Sequence, residues 1–544
     1  MDKINSKAPA LLFFLIIAFY CLFIARMGFE NWDTGYIPSF SWRVLNGQYI
    51  YRDFIYKGPP LTIYFQALFM KTLPLEGQFY WIKTVNYLFF ALQIFLIVTG
   101  FFNIYDNLKD KYNKWFIMSF CYVISLLNFS CYPWPTTDGL LFASIAFFFT
   151  TKKNNHYSSI ILISFFSVLS ALTKQSFYLI PLFFAMWIFI EHGYKKGLLF
   201  LFFSSLQLVI FFIWILSFTT FSNFLKQTTG QTTLLDIWHA GFLNYVWYYN
   251  YKIFIYPIIL LFAILFSLLT KKTKKITAQS LLKNVSLIIF FIGIIYCFND
   301  FLIGTRILLV SCVLSIILKI LFEGKKIKEV YTCFMLLGIS WSASISLGYP
   351  FPILFSTGII LTALYLFDNI NKPYLTILVC FILSATAISY NFTPYREENI
   401  LKITDRLDFV SPKLKYIKTS PENFKKLTNL KLLIKKYGSS FIVAPNIPIA
   451  HYLFNSKSVM PADWLINTEV NKDAELFINI AADKKNYVFL EKSFLKREDM
   501  MTEKKEDFST IASYIYKNFN KIDESGYFIV YNGIKTYEKI PEVN

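Results

Sequence analysis

Residues 79–102 have the sequence FYWIKTVNYLFFALQIFLIVTGFF, in which Lys83 is the single charged residue. A helix of about 20 such residues spans the hydrocarbon core of a bilayer. Apolar runs of similar character recur along the first 390 residues, separated by polar gaps. This pattern predicts about thirteen transmembrane helices, at residues 8–27, 79–102, 115–132, 138–151, 157–172, 176–190, 198–220, 252–270, 285–298, 303–320, 330–348, 351–367 and 374–390.

The composition supports the same fold class. Of the 544 residues, 56% are hydrophobic and 20% aromatic, while only 16% are charged. Soluble chains of this length carry roughly 25% charged residues. Water cannot solvate so much apolar surface, so most of the chain must face lipid. The aromatic excess suits helix ends that lie at the lipid–water interface. We therefore expect an α-helical polytopic membrane protein.

The formal charge of +19 is not spread evenly along the chain. Residues 391–544 carry 24 Lys/Arg against 20 Asp/Glu, so most of the excess lies in the hydrophobic part. There the basic residues cluster in alternate gaps, with Lys271, Lys272, Lys274 and Lys275 in one of them. Because positively charged loops stay in the cytoplasm, the alternation predicts an N-terminus inside and a C-terminus outside. It does not form a continuous basic stripe, so nucleic acid is not predicted as a partner.

Two predicted outer loops, at 28–78 and 221–251, are long and aromatic. Their apolar stretches are too short to cross a membrane, which indicates amphipathic helices lying on its surface. Long apolar runs stop near Asn391, which predicts a membrane domain at 1–390 and a second domain at 391–544. The second domain should be a small outward-facing α/β domain. Its predicted strands lie at 441–444, 487–490 and 527–531, and its predicted helices at 424–437 and 507–519.

The first outer loop, 28–78, contains the residues most suited to chemistry. Asp33 follows the first predicted span by a few residues, where apolar neighbours can raise the pKa of a carboxylate and make it a competent base. Lys57 precedes Pro59 and Pro60, which end any helix. A base and a fixed cation at the lipid boundary suit an anionic lipid substrate. The alternative is that both are ordinary solvated loop charges.

Three motifs in this loop resemble a known family. They are WDTGY at 32–36, WRVLNGQYIYRDF at 42–54 and KGPPLTIY at 57–64. Together they are similar to the first loop of GT-C glycosyltransferases. The closest branch contains bacterial protein O-mannosyltransferases, lipid A aminoarabinose transferases and lipopolysaccharide-core sugar transferases. Weaker similarity continues through Thr137-Asp138 and Ala171-Leu172-Thr173-Lys174.

The resemblance implies a GT-C-like fold and a membrane glycosyltransferase that uses a polyprenyl-phosphate sugar. Asp33 takes the position of the catalytic base, and Lys57 that of a cation for the donor phosphate. Many family members have Asp-Glu at the base position, whereas this chain has Asp33-Thr34; Glu30, one helical turn earlier, is a conjectural substitute for contact with the acceptor.

Further candidates come from charges at the predicted outer ends of spans. Lys174 and Arg306 lie there, where positive charge is scarce, and either could bind the phosphate or form a structural ion pair. Asp138 could neighbour the site or cap a helix, which its Thr-Thr-Asp-Gly context favours. Asp300 lies at a similar position. Tyr36, in the first motif, completes the candidate substrate contacts.

Other loop charges have structural interpretations. Asp53 most resembles a residue that holds loop structure, with Arg43 or Arg52 as its partner. The four His and seven Cys form no ligand cluster, and no outer loop has a DxD pair. A lipid-phosphate donor does not require a metal, so neither metal nor cofactor is predicted.

Three other classes of function stay open. A transporter or flippase of lipid-linked sugars would show repeated halves and charges at the membrane midplane. An O-antigen polymerase or ligase would place its basic residues in a late loop. A non-catalytic relative also fits, because fold does not establish activity.

The resemblance and the absence of outer disulfides indicate the plasma membrane of a bacterium. The acceptor class, whether lipid, glycan or protein, is not predicted.

Overall fold

The structure is a computed structural model that describes most of the chain in detail. The described residues are 7–126, 132–152, 157–229, 241, 292–295, 301–323, 326–346, 349–350, 357–366, 392–394, 396–470, 473–495 and 508–535. The predicted spans at 252–270 and 374–390, most of the span at 285–298, Asp300, and the predicted boundary at Asn391 lie outside them.

Helices dominate the first part of the chain. The described helices there are α1 Lys7–Leu22, α2 Asp33–Leu45, α3 Leu61–Thr72, α4 Gln78–Ile104, α5 Lys114–Ser125, α6 Pro135–Thr150, α7 Tyr157–Ala171, α8 Ile180–His192, α9 Tyr194–Leu216, α10 Phe221–Thr229, α11 Phe301–Glu323, α12 Ile327–Ser344 and α13 Thr357–Leu366. Two short strands, β1 Ile345–Ser346 and β2 Tyr349–Pro350, form an antiparallel pair after α12.

Three of these helical segments are long and apolar enough to cross a membrane: Lys7–Arg26, Gln78–Ile104 and Tyr194–Leu216. Only 17% of the most apolar stretch of α9 is buried against protein. Large side chains such as Phe202, Ile210 and Ile213 are therefore exposed along α9. An apolar surface of this extent is unfavourable in water and suits lipid. Four further apolar helices are shorter, so the predicted count of about thirteen spans stays a prediction.

The C-terminal region, residues 396–535 as described, is a small α/β unit. Its helices are α14 Pro421–Tyr437, α15 Ala450–Leu453, α16 Asn467–Val470, α17 Ala474–Ala482, α18 Lys492–Leu495 and α19 Thr510–Asn518. Its strands are β3 Asp405–Arg406, β4 Lys418–Thr419, β5 Phe441–Ala444, β6 Tyr487–Glu491, β7 Phe519–Glu524 and β8 Phe528–Ile534. The three predicted strands and two predicted helices are confirmed, while β7 was not predicted.

The main sheet has the strand order β5-β6-β8-β7, with β5 parallel to β6 and the other pairs antiparallel. Alternate side chains of a strand point to opposite faces. Accordingly, Phe441 and Val443 of β5 join the core beneath α14, while Ile442 and Ala444 join a second core beneath α17 and α19. Both faces of the sheet are covered, so all four residues of β5 are buried.

The first loop is packed against this C-terminal region. Helix α2 is buried continuously from Thr34 to Ser41, so protein covers all sides of this stretch, whereas the sequence predicts an amphipathic helix lying on the membrane surface. Gly35 explains the closeness of the packing: a Cβ atom there would lie 2.5 Å from the Cβ of Ile449. The N–H of Ile55 also donates to the carbonyl of Pro461, at 2.9 Å. The loop and the C-terminal region therefore form one packed unit.

A buried ion pair fixes α2 in this packing. The Arg43 guanidinium donates from Nε to Asp463 Oδ2 at 2.7 Å and from Nη2 to Asp463 Oδ1 at 2.6 Å. Nη2 also donates to the carbonyl of Met460, at 2.7 Å. Both side chains are almost fully buried. Of the two partners that the sequence offers Asp53, Arg43 and Arg52, the structure pairs it with Arg52, at 2.8 Å, in an exposed ion pair.

We expect Arg43→Ala to lower the free energy of unfolding by about 3–5 kcal/mol, because it leaves Asp463 charged and unpaired in a buried site. Arg52→Ala, which breaks the exposed pair in the same loop, should change it by less than about 1 kcal/mol. Thermal unfolding of the detergent-solubilised variants, followed by tryptophan fluorescence, measures both. Equal transition temperatures for the two variants would contradict the structural role of the buried pair.

Candidate active site

The candidate base, Asp33, is the first residue of α2. A carboxylate at a helix N-terminus is stabilised by the unpaired backbone N–H groups and the helix dipole. Its side chain is 14% exposed, whereas that of Glu30 is 5% exposed. Of these two neighbouring carboxylates, Asp33 is therefore the more accessible to a substrate.

Glu30 holds the turn that leads into α2. Its Oε1 accepts the N–H of Trp32 at 2.8 Å, and its Oε2 accepts the N–H of Thr34 at 3.1 Å. Burial, followed by repulsion from Asp33, raises the pKa of Glu30 to about 7, although these hydrogen bonds act to lower it. Glu30 therefore organises the first turn around Asp33 and is partly protonated near neutral pH.

Arg396 lies over both carboxylates. Its Nη1 is 3.3 Å from Asp33 Oδ2 and 3.7 Å from Glu30 Oε1. Its guanidinium also lies over the ring of Trp32, at 5.1 Å from the centroid. The part of the site that holds the two carboxylates is thus completed by a residue that is distant from Asp33 in the sequence.

Lys57 lies in a second pair close by. Its Nζ is 3.5 Å from Glu469 Oε1, and the Tyr36 hydroxyl donates to Glu469 Oε2 at 2.9 Å. Burial lowers the pKa of Lys57 and raises that of Glu469, and the attraction between them acts in the opposite direction on both. Tyr36 lies in α2, one helical turn after Asp33, so its bond to Glu469 brings the second pair to the same end of this helix.

Aromatic rings border this site. The ring of Tyr36 lies 5.7 Å from that of Trp134 and 5.7 Å from that of Trp464. Both Trp side chains are half-buried. Trp134 precedes α6 and Trp464 belongs to the C-terminal region. Together with Tyr36 of α2, they form an aromatic wall from three separate segments.

Lys174 is held next to the Lys57 segment. Its Nζ donates to Thr136 Oγ1 at 3.1 Å and to the carbonyl of Ile345. The following residue, Gln175, donates to the carbonyl of Lys57. Lys174 therefore ties α6 to β1 on the side of the loop where Lys57 lies. Its predicted phosphate contact stays a prediction.

Asp138 is not the cap of α6, as its sequence context had suggested. The helix begins at Pro135, and Trp134 occupies the capping position. Asp138 lies in the first turn, is fully buried, and accepts from Gln66 Nε2 of α3 at 2.8 Å. The prediction failed because Pro135, with its fixed backbone, already begins the helix.

Arg306 is buried near the start of α11.

His451 lies in the C-terminal region, where its Nδ1 is 2.9 Å from Ser456 Oγ and its ring stacks on Phe441. Within the described part of the chain, no group of three metal-ligating side chains occurs.

Sequence reasoning missed Arg396, Glu469 and Asp463. Arg396 is one of 24 Lys/Arg in residues 391–544, so the scarcity of cations that singles out Lys174 does not mark it. Glu469 and Asp463 lie in no motif, and nothing local marks them.

Comparison with known proteins gives one likeness. No family model matches the chain, and no curated protein does. Among solved structures, the chain is similar to the crystal structure of ArnT from Cupriavidus metallidurans bound to undecaprenyl phosphate. The TM-score is 0.41 and the identity 9%, over 98% of this chain and 99% of that one. A likeness at this level establishes neither family nor activity.

The raised pKa of Glu30 predicts a pH dependence of stability. A carboxyl group whose pKa is higher in the folded state binds more protons there, so stability falls as pH rises from about 4.5 to about 7. The full loss is about 3 kcal/mol. We expect Glu30→Gln to remove this decline, because the amide is never charged. Transition temperatures at pH 5 and pH 8 measure it, and an unchanged decline in the variant would refute the assignment.

Proposed function

We propose that this chain is a membrane glycosyltransferase that moves a sugar from a polyprenyl-phosphate donor to an acceptor hydroxyl, with Asp33 as the general base. The observation that carries the proposal is the arrangement around Asp33. An accessible carboxylate begins a buried helix, with Lys57 and an aromatic wall beside it. The resemblance of the loop motifs to GT-C enzymes supports the same assignment. The setting proposed is the outer face of a bacterial plasma membrane, with residues 391–544 outside.

The chemistry is a single displacement with inversion. Asp33 takes the proton of the acceptor hydroxyl as its oxygen bonds to the anomeric carbon. The bond from that carbon to the phosphate oxygen breaks, and polyprenyl phosphate leaves with the bonding electrons. Negative charge grows on the leaving phosphate, so a nearby cation stabilises the transition state more than the ground state. We propose Lys57, Lys174 and Arg306 as the cations available.

Lys57 is the strongest of these candidates, because its partner Glu469 is bonded by Tyr36, one helical turn after Asp33. Its ammonium is already countered by Glu469, so a phosphate has to share or replace that partner. Glu30, Tyr36 and Asp138 are the proposed contacts for the substrates. Among them, Tyr36 is best placed, since its ring lies in the aromatic wall and its hydroxyl reaches Glu469. Flat apolar rings with a few polar groups are typical of pockets that orient a ligand.

Replacing the base should abolish transfer. We expect Asp33→Asn to lower the transfer rate by about 10²–10⁴-fold, the usual contribution of a general base. The measurement is transfer from a synthetic polyprenyl-phosphate sugar, together with mass spectrometry of surface glycans in cells that carry wild type or variant. Asp53→Asn is the matched control, because Asp53 lies in the same loop and pairs with Arg52. Normal glycans with Asp33→Asn would remove the base assignment.

Replacing Lys57 should mainly weaken use of the donor. We expect Lys57→Met to raise the donor KM by about tenfold, the effect of losing about 1.4 kcal/mol of phosphate binding. The single variant also leaves the buried Glu469 charged and without its cation. The double variant Lys57→Met with Glu469→Gln removes that buried charge but does not restore the cation. If the double variant recovers the wild-type KM, the phosphate role of Lys57 is wrong.

A further inference from the structure

Arg396 connects the acidic end of the site to the segment that leads into the C-terminal region. Its guanidinium reaches Asp33 Oδ2 and Glu30 Oε1 and covers the ring of Trp32. An Arg side chain offers five donors in a rigid plane, so it can hold two carboxylates in a fixed relation, which a Lys ammonium does less well. The chemistry proposed above gives Arg396 no task.

The turn that carries Arg396 is clamped to the start of the first loop. Glu397 Oε1 accepts the N–H of Phe29 at 3.0 Å and the Asn423 side-chain amide at 3.4 Å. The same amide donates to the carbonyl of Phe29 at 2.6 Å. Asn423 Oδ1 accepts from the side chain of Asn31 at 2.7 Å. These contacts fix the backbone beside Arg396 against residues 29–31.

Close packing on the other side of the turn completes the clamp. Gly28 has a φ of +78°, and a Cβ atom there would lie 2.8 Å from the Cβ of Pro394. The N–H of Gly28 donates to the carbonyl of Lys418 at 3.0 Å. Arg396 itself has a φ of +53°, a conformation uncommon for residues other than glycine. Such backbones persist where the surroundings determine them, and they concentrate at functional sites.

Exposure argues against a purely stabilising role. The Arg396 side chain is 43% exposed, and water screens an ion pair of that kind, so its contribution to folding is small. The clamp nevertheless holds the backbone of Arg396 in place from two sides. Arg396 is therefore held in place although its ion pairs contribute little to folding. Its placement is better explained by the orientation that it gives to the carboxylates of Asp33 and Glu30.

We propose that Arg396 is a positioning residue of this site, which orients the Asp33 carboxylate for removal of the acceptor proton. The inference rests on the proposed function of Asp33. Contact with Arg396 at Oδ2 restricts rotation of the carboxylate, and Glu30 is held by the same guanidinium. A base acts only within hydrogen-bond reach of its proton, so a fixed carboxylate transfers it more often than a rotating one.

The first test compares Arg396→Ala with Arg396→Lys in the full chain. Arg396→Ala should lower kcat by about 10–100-fold, the effect of misplacing a reacting group, and change the donor KM by less than about threefold. Arg396→Lys should recover part of the rate. Millimolar guanidinium should also accelerate Arg396→Ala, but neither wild type nor Asp33→Asn. Arg406→Ala is the matched control, because Arg406 forms an exposed pair with Asp408 in the same region.

Two outcomes would overturn the inference. One is wild-type kcat in Arg396→Ala. The other is a loss that neither Arg396→Lys nor guanidinium relieves, accompanied by a lower unfolding temperature, which would make the role structural. A wild-type protein that transfers no sugar would instead reject the proposed function.

A second measurement tests the contact without turnover. Carbodiimide and an amine couple to accessible carboxyl groups, and mass spectrometry of the peptide containing Asp33 gives the extent. Arg396→Ala should raise coupling at Asp33 several-fold, while Arg406→Ala should raise it only at Asp408. Equal coupling at Asp33 in wild type and Arg396→Ala would show that the guanidinium does not hold the carboxylate.

Discussion

The ion pair between Arg43 and Asp463 determines how the first loop meets the C-terminal region. Two charges leave water together only when each is matched, so a register of α2 that separates them is strongly disfavoured. Tyr36 lies seven residues before Arg43, on the same face of the helix. Once Arg43 meets Asp463, that face brings Tyr36 to Glu469. The close approach of Gly35 to Ile449 follows from the same placement.

The charges of the site are organised as two crossed pairs. In one, the loop supplies the carboxylates and the C-terminal side supplies Arg396; in the other, the loop supplies Lys57 and the C-terminal side supplies Glu469. Opposite charges are therefore close to balance before any substrate is present. An anionic donor entering this site adds charge to a balanced arrangement, so it has to displace a partner or recruit one. This balance explains how the buried charges of the site are tolerated, and the proposed donor phosphate would have to fit into it.

Much of the fold could be predicted because its signals are local. Apolar runs located helices α1, α4 to α9 and α11 to α13, but not α2, α3 and α10 of the predicted outer loops. Short runs of apolar and β-forming residues located β5, β6 and β8. Strand β7 escaped because its sequence, FNKIDE, is polar and mostly exposed; it is a strand only because it pairs with β8. The burial of α2 escaped for a similar reason, since nothing within 33–45 indicates that distant residues cover it.

The candidate site could likewise be predicted only in part from the sequence. Asp33 and Lys57 could be singled out, because they lie in one loop with recognisable motifs. Their partners Arg396 and Glu469 could not, because pairing over hundreds of residues leaves no periodicity in a single sequence.

The distance in sequence between Arg43 and Asp463, 420 residues, has a consequence for biosynthesis. At about 5–20 residues per second, a ribosome needs roughly 20–80 s to make the chain between them. During that interval the first loop has already emerged, and Arg43, Glu30 and Lys57 have no C-terminal partners. The loop must stay soluble and unpaired beside the growing set of membrane helices. The site is therefore assembled late, so a truncated chain would insert its first helices yet display an unfinished loop, which quality-control proteases could recognise.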